Sequence, residues 1–160
     1  MQPYLYPHFQ KTKFEALVKE MLMTGTIRSS TNPYSSSVFL VKKYDGMQRM
    51  CIDYRALNKI ILKDKLSIVV INELLDELVC TQFFTKLDLQ LSYHQVHIYF
   101  GDIEKTTFRT YQGHYKFLVM SFGLTNAPST FQVLINEVFQ NYLQKFVLVL
   151  FYDTLIYSRS

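Results

Sequence analysis

The chain has 160 residues, 49% of them hydrophobic and 16% aromatic, with a formal net charge of +4. That length suits one domain, and the apolar content is ample for a packed core, so a disordered tail is excluded. Residues 1–60 carry nine Lys/Arg against four Asp/Glu and residues 61–160 carry eight against nine, a division that suits either a basic lobe gripping phosphates with an acid-bearing lobe holding metal ions or, equally on charge alone, an unevenly charged solvated surface.

In chain order, Met1 to His8 lacks the charged start and apolar centre of a signal peptide. Phe14, Leu17, Val18, Met21 and Leu22 then recur at helical spacing, Glu15 stands four before Lys19, and Gly25 supplies a stop, which predicts an amphipathic helix. Ser29 to Ser37, with Asn32-Pro33, reads as a loop. Val38 to Val41 and Met50 to Ile52 read as strands joined by a basic hairpin in which Asp45-Gly46 is the turn signal. Ile71, Leu74, Leu75, Leu78 and Val79 make a second helical stripe, and Phe83 to Leu89 an aromatic-rich strand containing Asp88.

Lys105 to Thr110 and His114 to Met120 read as paired strands around Gln112-Gly113. Phe131, Leu134, Ile135, Val138 and Phe139 form a third stripe, with Pro128 in the first turn of its helix, where a missing N–H costs little. Phe146 to Phe151 is an apolar run suited to a strand covered on both faces and too short to cross a bilayer. Tyr152-Asp153 would form a tight connection, and Thr154 to Tyr157 would return as a second strand. The order implies an α+β layer with helices on one side of a largely antiparallel sheet. Cys51 and Cys80 lie in apolar stretches without CxxC or Cys/His spacing, so neither a disulfide framework nor a zinc site is suggested.

Asp88 and Asp153 are the acids that carry the chemical interest. Two divalent ions about 4 Å apart lower the pKa of an attacking hydroxyl and neutralise a leaving phosphate, and carboxylates must hold them. From spacing alone, acids at strand ends read first as solvated caps. The surrounding motifs change that reading: Tyr6-Pro7-His8, Val41-Lys42-Lys43 with Asp45-Gly46, Asp53-Tyr54-Arg55-Ala56-Leu57-Asn58, Lys86-Leu87-Asp88-Leu89, Tyr93-His94-Gln95, Phe108-Arg109-Thr110, Phe122-Gly123-Leu124-Thr125-Asn126-Ala127-Pro128 and the terminal hairpin follow one another in register. Nearly the whole chain thereby resembles the fingers and first part of the palm of a reverse transcriptase from a gypsy-class LTR retrotransposon.

The resemblance implies an RNA-directed DNA polymerase of the right-hand type, with fingers over about 1–80 and 106–120 and an incomplete palm over 81–105 and 121–160. The chain ends at Ser160 inside the return strand, so the thumb and RNase H domains of the family are expected to be absent from it. Asp88 and Asp153 would be catalytic ligands of two Mg²⁺ ions. Lys43 and Arg49 match the cations that clasp an incoming deoxynucleoside triphosphate, with Arg acting as a fork and Lys as a point charge. Tyr93 matches the aromatic plate beneath the sugar, and Phe122 the position beside the nucleotide. Asn58 and Ala127 to Gln132 match parts facing the template, and His94 a packing position. Expected partners are an RNA or DNA template-primer and the rest of a polyprotein, with no membrane and an intracellular, cytoplasmic setting.

The resemblance fails at one decisive place. The family hairpin reads aromatic, any residue, Asp, Asp, and those positions here are Leu150, Phe151, Tyr152 and Asp153. A neutral phenol is a poor Mg²⁺ ligand, so impaired polymerisation is expected, with a non-catalytic nucleic-acid-binding remnant as the alternative. Sliding Asp153 into the first position would break the register of Leu155 to Ser158. Ser92 for Gly, Ser37 and Ser121 for Pro, and Ser67 and Val69 in a normally proline-rich segment are further departures.

Overall fold

The computed structural model describes residues 8–42, 44, 46, 48–64, 76–89, 92–150 and 153–158, with the side chains of residues 8–10, 88 and 92 left aside. The chain runs α1 (His8–Met23), β1 (Ile27–Ser29), β2 (Val38–Lys42), β3 (Gln48–Ile52), α2 (Arg55–Asn58), β4 (Phe83–Asp88), 3₁₀ turns at Ser92–Gln95 and Phe100–Thr106, β5 (Phe108–Arg109), β6 (His114–Phe117), α3 (Ala127–Val138), β7 (Val147–Leu150) and β8 (Asp153–Ser158). These elements gather into two units, one from the described residues of 1–61 and 94–124, the other from those of 62–93 and 125–160.

In the first unit the predicted helix is α1, and its stripe delivers Phe14 and Val18 into a core with Ile27, Val38, Ile52, Tyr54, Phe108, Phe117 and Val119. The helix closes where expected: Thr26 N–H reaches back to the Met21 carbonyl at 2.9 Å across Gly25, whose φ of +71° costs little only for glycine. β2 and β3 form an antiparallel pair with Val38 opposite Ile52 and Val41 opposite Arg49. Alternation decides its faces, since Val38 and Ile52 are buried while Phe39, Val41 and Arg49 are exposed.

A second sheet of this unit has the order β1-β6-β5. The strands expected over Lys105 to Thr110 and His114 to Met120 are real but shorter. Lys105 and Thr106 belong instead to the 3₁₀ turn, because the Thr106 and Thr107 hydroxyls donate to the carbonyls of Ile103 and Glu104 at 2.7 and 2.8 Å. Threonine competes for the backbone in this way and ends regular structure.

The second unit is built on a three-stranded antiparallel sheet in the order β4-β8-β7. α3 carries Pro128 in its first turn, as expected, and buries Ala127, Phe131, Gln132 and Ile135. Of the predicted stripe, Leu134 and Val138 are exposed: the buried face follows the i, i+4 row through 127, 131 and 135 and leaves the helix before 138. Among the described residues the strands are antiparallel, as expected, with the β2-β3 pair and the β1-β6-β5 sheet in the first unit and the β4-β8-β7 sheet in the second. Of the helix expected over residues 71–79, residues 71–75 lie outside the described set, and Asp76 and Glu77 are helical.

The terminal hairpin is present, with one correction. Leu150 pairs with Asp153, so Asp153 is the first residue of the return strand and not part of the connection; residues 151–152 lie between the two strands in sequence. Both of those, including Tyr152, lie outside the described residues. Among the described residues no helix is long and apolar enough to cross a membrane. Cys51 and Cys80 are free thiols.

Candidate active site

The two acids that sequence spacing left 65 residues apart are brought together by strand pairing. β8 is the central strand, and its register against β4 places Asp153 directly opposite Asp88 at one end of the sheet. Directly opposed positions of an antiparallel pair share a face, with Cβ atoms about 5 Å apart. The support is firm because Val147, Leu148 and Val149 of β7 are buried, and Gln132 of α3 donates to the Val149 carbonyl at 3.4 Å. The Asp153 side chain remains 52% exposed.

A residue overlooked in the sequence completes this end. Lys86 precedes Asp88 by two and therefore shares its face, diagonal to Asp153, and Lys86 Nζ lies 2.7 Å from Asp153 Oδ1. The i, i+2 spacing within Lys86-Leu87-Asp88, once recognised as a strand, was the available signal.

A second constellation lies in the first unit. The Arg49 guanidinium sits over the Phe122 ring, 5.0 Å from its centroid, a cation–π arrangement. His94 meets the same ring edge-on at 6.1 Å and Phe117 at 6.3 Å, and burial lowers the His94 pKa from its ordinary value. The loop bearing Phe122 is fixed on both sides. Ser121 is buried and donates to the Tyr54 hydroxyl at 3.3 Å, while Asn58 Nδ2 donates to the Gly123 carbonyl at 2.7 Å. Ser121 thus has a settled hydrogen-bonding place. Tyr54 in turn donates to the Thr106 carbonyl at 3.0 Å, and burial raises its phenol pKa. Nearby in sequence, Arg55 grips Asp53 through Nε and a terminal nitrogen at 2.8 and 2.7 Å, which holds that carboxyl down at about 2.

In the second unit Asn126 clasps the segment before residue 65. Its amide donates to the Leu62 carbonyl at 2.8 Å and accepts from Asp64 N–H at 3.3 Å, and Ser129 donates to the Asp64 carboxylate at 3.1 Å. Tyr93 is 5% exposed and packs edge-on against Phe131 at 5.3 Å. The structure therefore joins Asp88 with Asp153, and Arg49 with Phe122; Tyr93 is joined to Phe131, and Lys43 lies outside the described residues.

With this geometry in view, comparison with known proteins is decisive. Residues 41–160 match the family described as "Reverse transcriptase (RNA-dependent DNA polymerase)". The chain belongs to the reverse transcriptase family. It is 41% identical over 97% of its length to the retrovirus-related Pol polyprotein from transposon 297 of Drosophila melanogaster, of which it spans 15%. It is 49% identical over 69% of its length to an RNA-directed DNA polymerase homolog of Oenothera berteroana, of which it spans 78%. The solved foamy viral protease-reverse transcriptase in complex with an RNA/DNA hybrid superposes with a TM-score of 0.87 at 19% identity, covering the whole of this chain and 21% of that one. The fold is that of a reverse transcriptase, with mixed helices and antiparallel sheets.

Reverse transcriptases generally use divalent metal ions. Among the described residues this sheet end offers the opposed positions of Asp88 and Asp153, with one Asp153 oxygen held by the Lys86 ammonium, and the residue before Asp153 in the sequence is the neutral Tyr152. Among the described residues no group of three or more His, Cys, Asp or Glu could hold a metal ion.

Proposed function

We propose that this reverse transcriptase domain descends from the RNA-directed DNA polymerase of a gypsy-class LTR retrotransposon and that Tyr152 has impaired its chemistry. Fingers are assigned to about 1–80 and 106–120 and an incomplete palm to about 81–105 and 121–160, bounds that do not coincide with those of the two compact units. Arg49, seated on Phe122, meets the phosphates of an incoming deoxynucleoside triphosphate, and Lys43 and Tyr93 are assigned to its phosphates and sugar by the family resemblance alone. An RNA or DNA template-primer is the macromolecular partner. The observation that carries this reading is the register of β4 against β8, which sets Asp88 opposite Asp153; hard oxygen donors at one sheet end suit Mg²⁺. Replacing a carboxylate by a phenol next to them removes charge that metal-assisted transfer draws on, a loss on the order of several kcal/mol.

The test is primer extension on an RNA template with Mg²⁺, using this chain joined to the remaining palm and the thumb of a polyprotein relative. Tyr152→Asp should raise synthesis at least about a hundredfold, the equivalent of about 2.7 kcal/mol. Equally strong synthesis by both forms would refute the reading.

A further inference from the structure

We infer that Lys86 is a cation built into the acid-bearing end of the β4-β8-β7 sheet, a positioning residue that holds the Asp153 carboxylate and competes with a divalent ion for it. The inference rests on the reading of Asp88 and Asp153 as a cation-holding pair and adds a component that the pair alone does not contain.

The argument begins with geometry. Lys86 and Asp88 lie on one face of β4, and Asp153 is the residue opposite Asp88, so Lys86 is diagonal to Asp153. Diagonal neighbours across an antiparallel pair are about 7–8 Å apart, a span that a long side chain can bridge. Lys86 does so, with Nζ on Asp153 Oδ1 at 2.7 Å. A lysine on an edge strand ordinarily discourages edge-to-edge association. Among the described residues β4 is such a strand, but a side chain serving only that purpose would extend to solvent, whereas this one is drawn onto the acid.

Charge sets the consequence. The Lys86 ammonium offsets the negative charge of Asp153, and the residue before that acid in the sequence, Tyr152, is neutral. Both partners are more than half exposed, at 64% and 52%, so the pair is weak and displaceable rather than locked. A doubly charged ion taking the same carboxylate would nevertheless face the ammonium at close range. Across about 4 Å in water that repulsion corresponds to an order of magnitude in affinity, somewhat less once salt screens it.

The experiment is Mn²⁺ titration of the 160-residue chain, reading free Mn²⁺ by electron paramagnetic resonance, with circular dichroism to compare the fold of each variant. Lys86→Met should bind Mn²⁺ about tenfold more tightly than the unaltered chain, because the competitor is gone. Lys86→Arg should restore the weak binding, since charge and not packing is the agent. Adding Asp153→Asn to Lys86→Met should abolish the gain. Unchanged affinity in Lys86→Met, or a gain that Lys86→Arg shares, would overturn the role of Lys86. Asp88→Asn and Asp153→Asn separate this from the broader reading: if they lose Mn²⁺ while Lys86→Met changes nothing, only the lysine inference falls. If neither acid variant alters binding, the cation-holding pair falls with it.

Discussion

Thr154→Val tests how the sheet bearing the acids is held together. Thr154 is 1% exposed in β8, opposite Leu87 on one side and Val149 on the other, and its hydroxyl has no hydrogen-bond partner among the described residues. A buried hydroxyl left without a partner costs about 1–3 kcal/mol, against its full solvation in the unfolded chain. Valine has nearly the same shape, keeps the β-branch that suits a strand, and carries no polar atom. The substitution should therefore stabilise the second unit by about 1–2 kcal/mol. With a urea slope of about 2 kcal/mol/M, the midpoint should rise by roughly 0.5–1 M. The chain has no Trp, so the readout is far-ultraviolet circular dichroism, with amide exchange of β8 reporting locally. Thr154→Ala is the control, because it removes the methyl as well and opens a cavity that offsets the gain. A Thr154→Val midpoint at or below that of the unaltered chain would refute the reasoning.

Two further outcomes follow from the first unit. His94 is packed between Phe117 and Phe122 and its pKa is lowered by burial, so the unfolded chain takes up the proton first, near its ordinary value of about 6.5. Stability is full above that pH and declines as pH falls through the lowered folded value; denaturant midpoints measured from pH 7 to 5 should show this decline, and His94→Phe should flatten it. Gly123 has a φ of +94° while the space about it is ordinary, with the Ile52 carbonyl 3.5 Å from an added Cβ. Gly123→Ala should therefore cost about 1–2 kcal/mol from backbone strain alone, read as a lowered urea midpoint, and an unchanged midpoint would show that the loop relaxes freely.

Local periodicity made much of the architecture legible before any coordinates. Phe14 and Val18 announced the buried face of α1, the apolar runs Val38–Val41 and Met50–Ile52 around the Asp45-Gly46 turn signal announced β2 and β3, and the Val147–Val149 run announced the strand that supports the acids. Non-local features were not legible. β1 is three residues long and exists because Ile27 to Ser29 finds Phe117 to Tyr115 across ninety residues, which no local pattern encodes. Val138 looked like core because a helical stripe records hydrophobicity and not which neighbour covers it. At the candidate site, the resemblance points to Asp88, Asp153, Arg49 and Phe122, whereas the role of Lys86 depends on its diagonal relation to Asp153 across the β4-β8 pair, a register that the strand pattern of Phe83 to Leu89 does not encode. Asn126 was passed over for a related reason: its amide serves Leu62 and Asp64, more than sixty residues earlier.

The claim on which the rest depends is that Asp88 and Asp153 stand opposite each other on one face of the β4-β8 pair. Opposed antiparallel positions have Cα atoms about 4.5–5.5 Å apart, within the range a disulfide can span. The most direct measurement is therefore oxidative cross-linking of Asp88→Cys/Asp153→Cys in a background with Cys51 and Cys80 changed to Ser, scored as an intrachain disulfide by mass spectrometry, with Phe84→Cys/Asp153→Cys as the control four residues out of register. The 88–153 pair should close readily and the 84–153 pair should not; closure of the control in preference to the 88–153 pair would contradict the account.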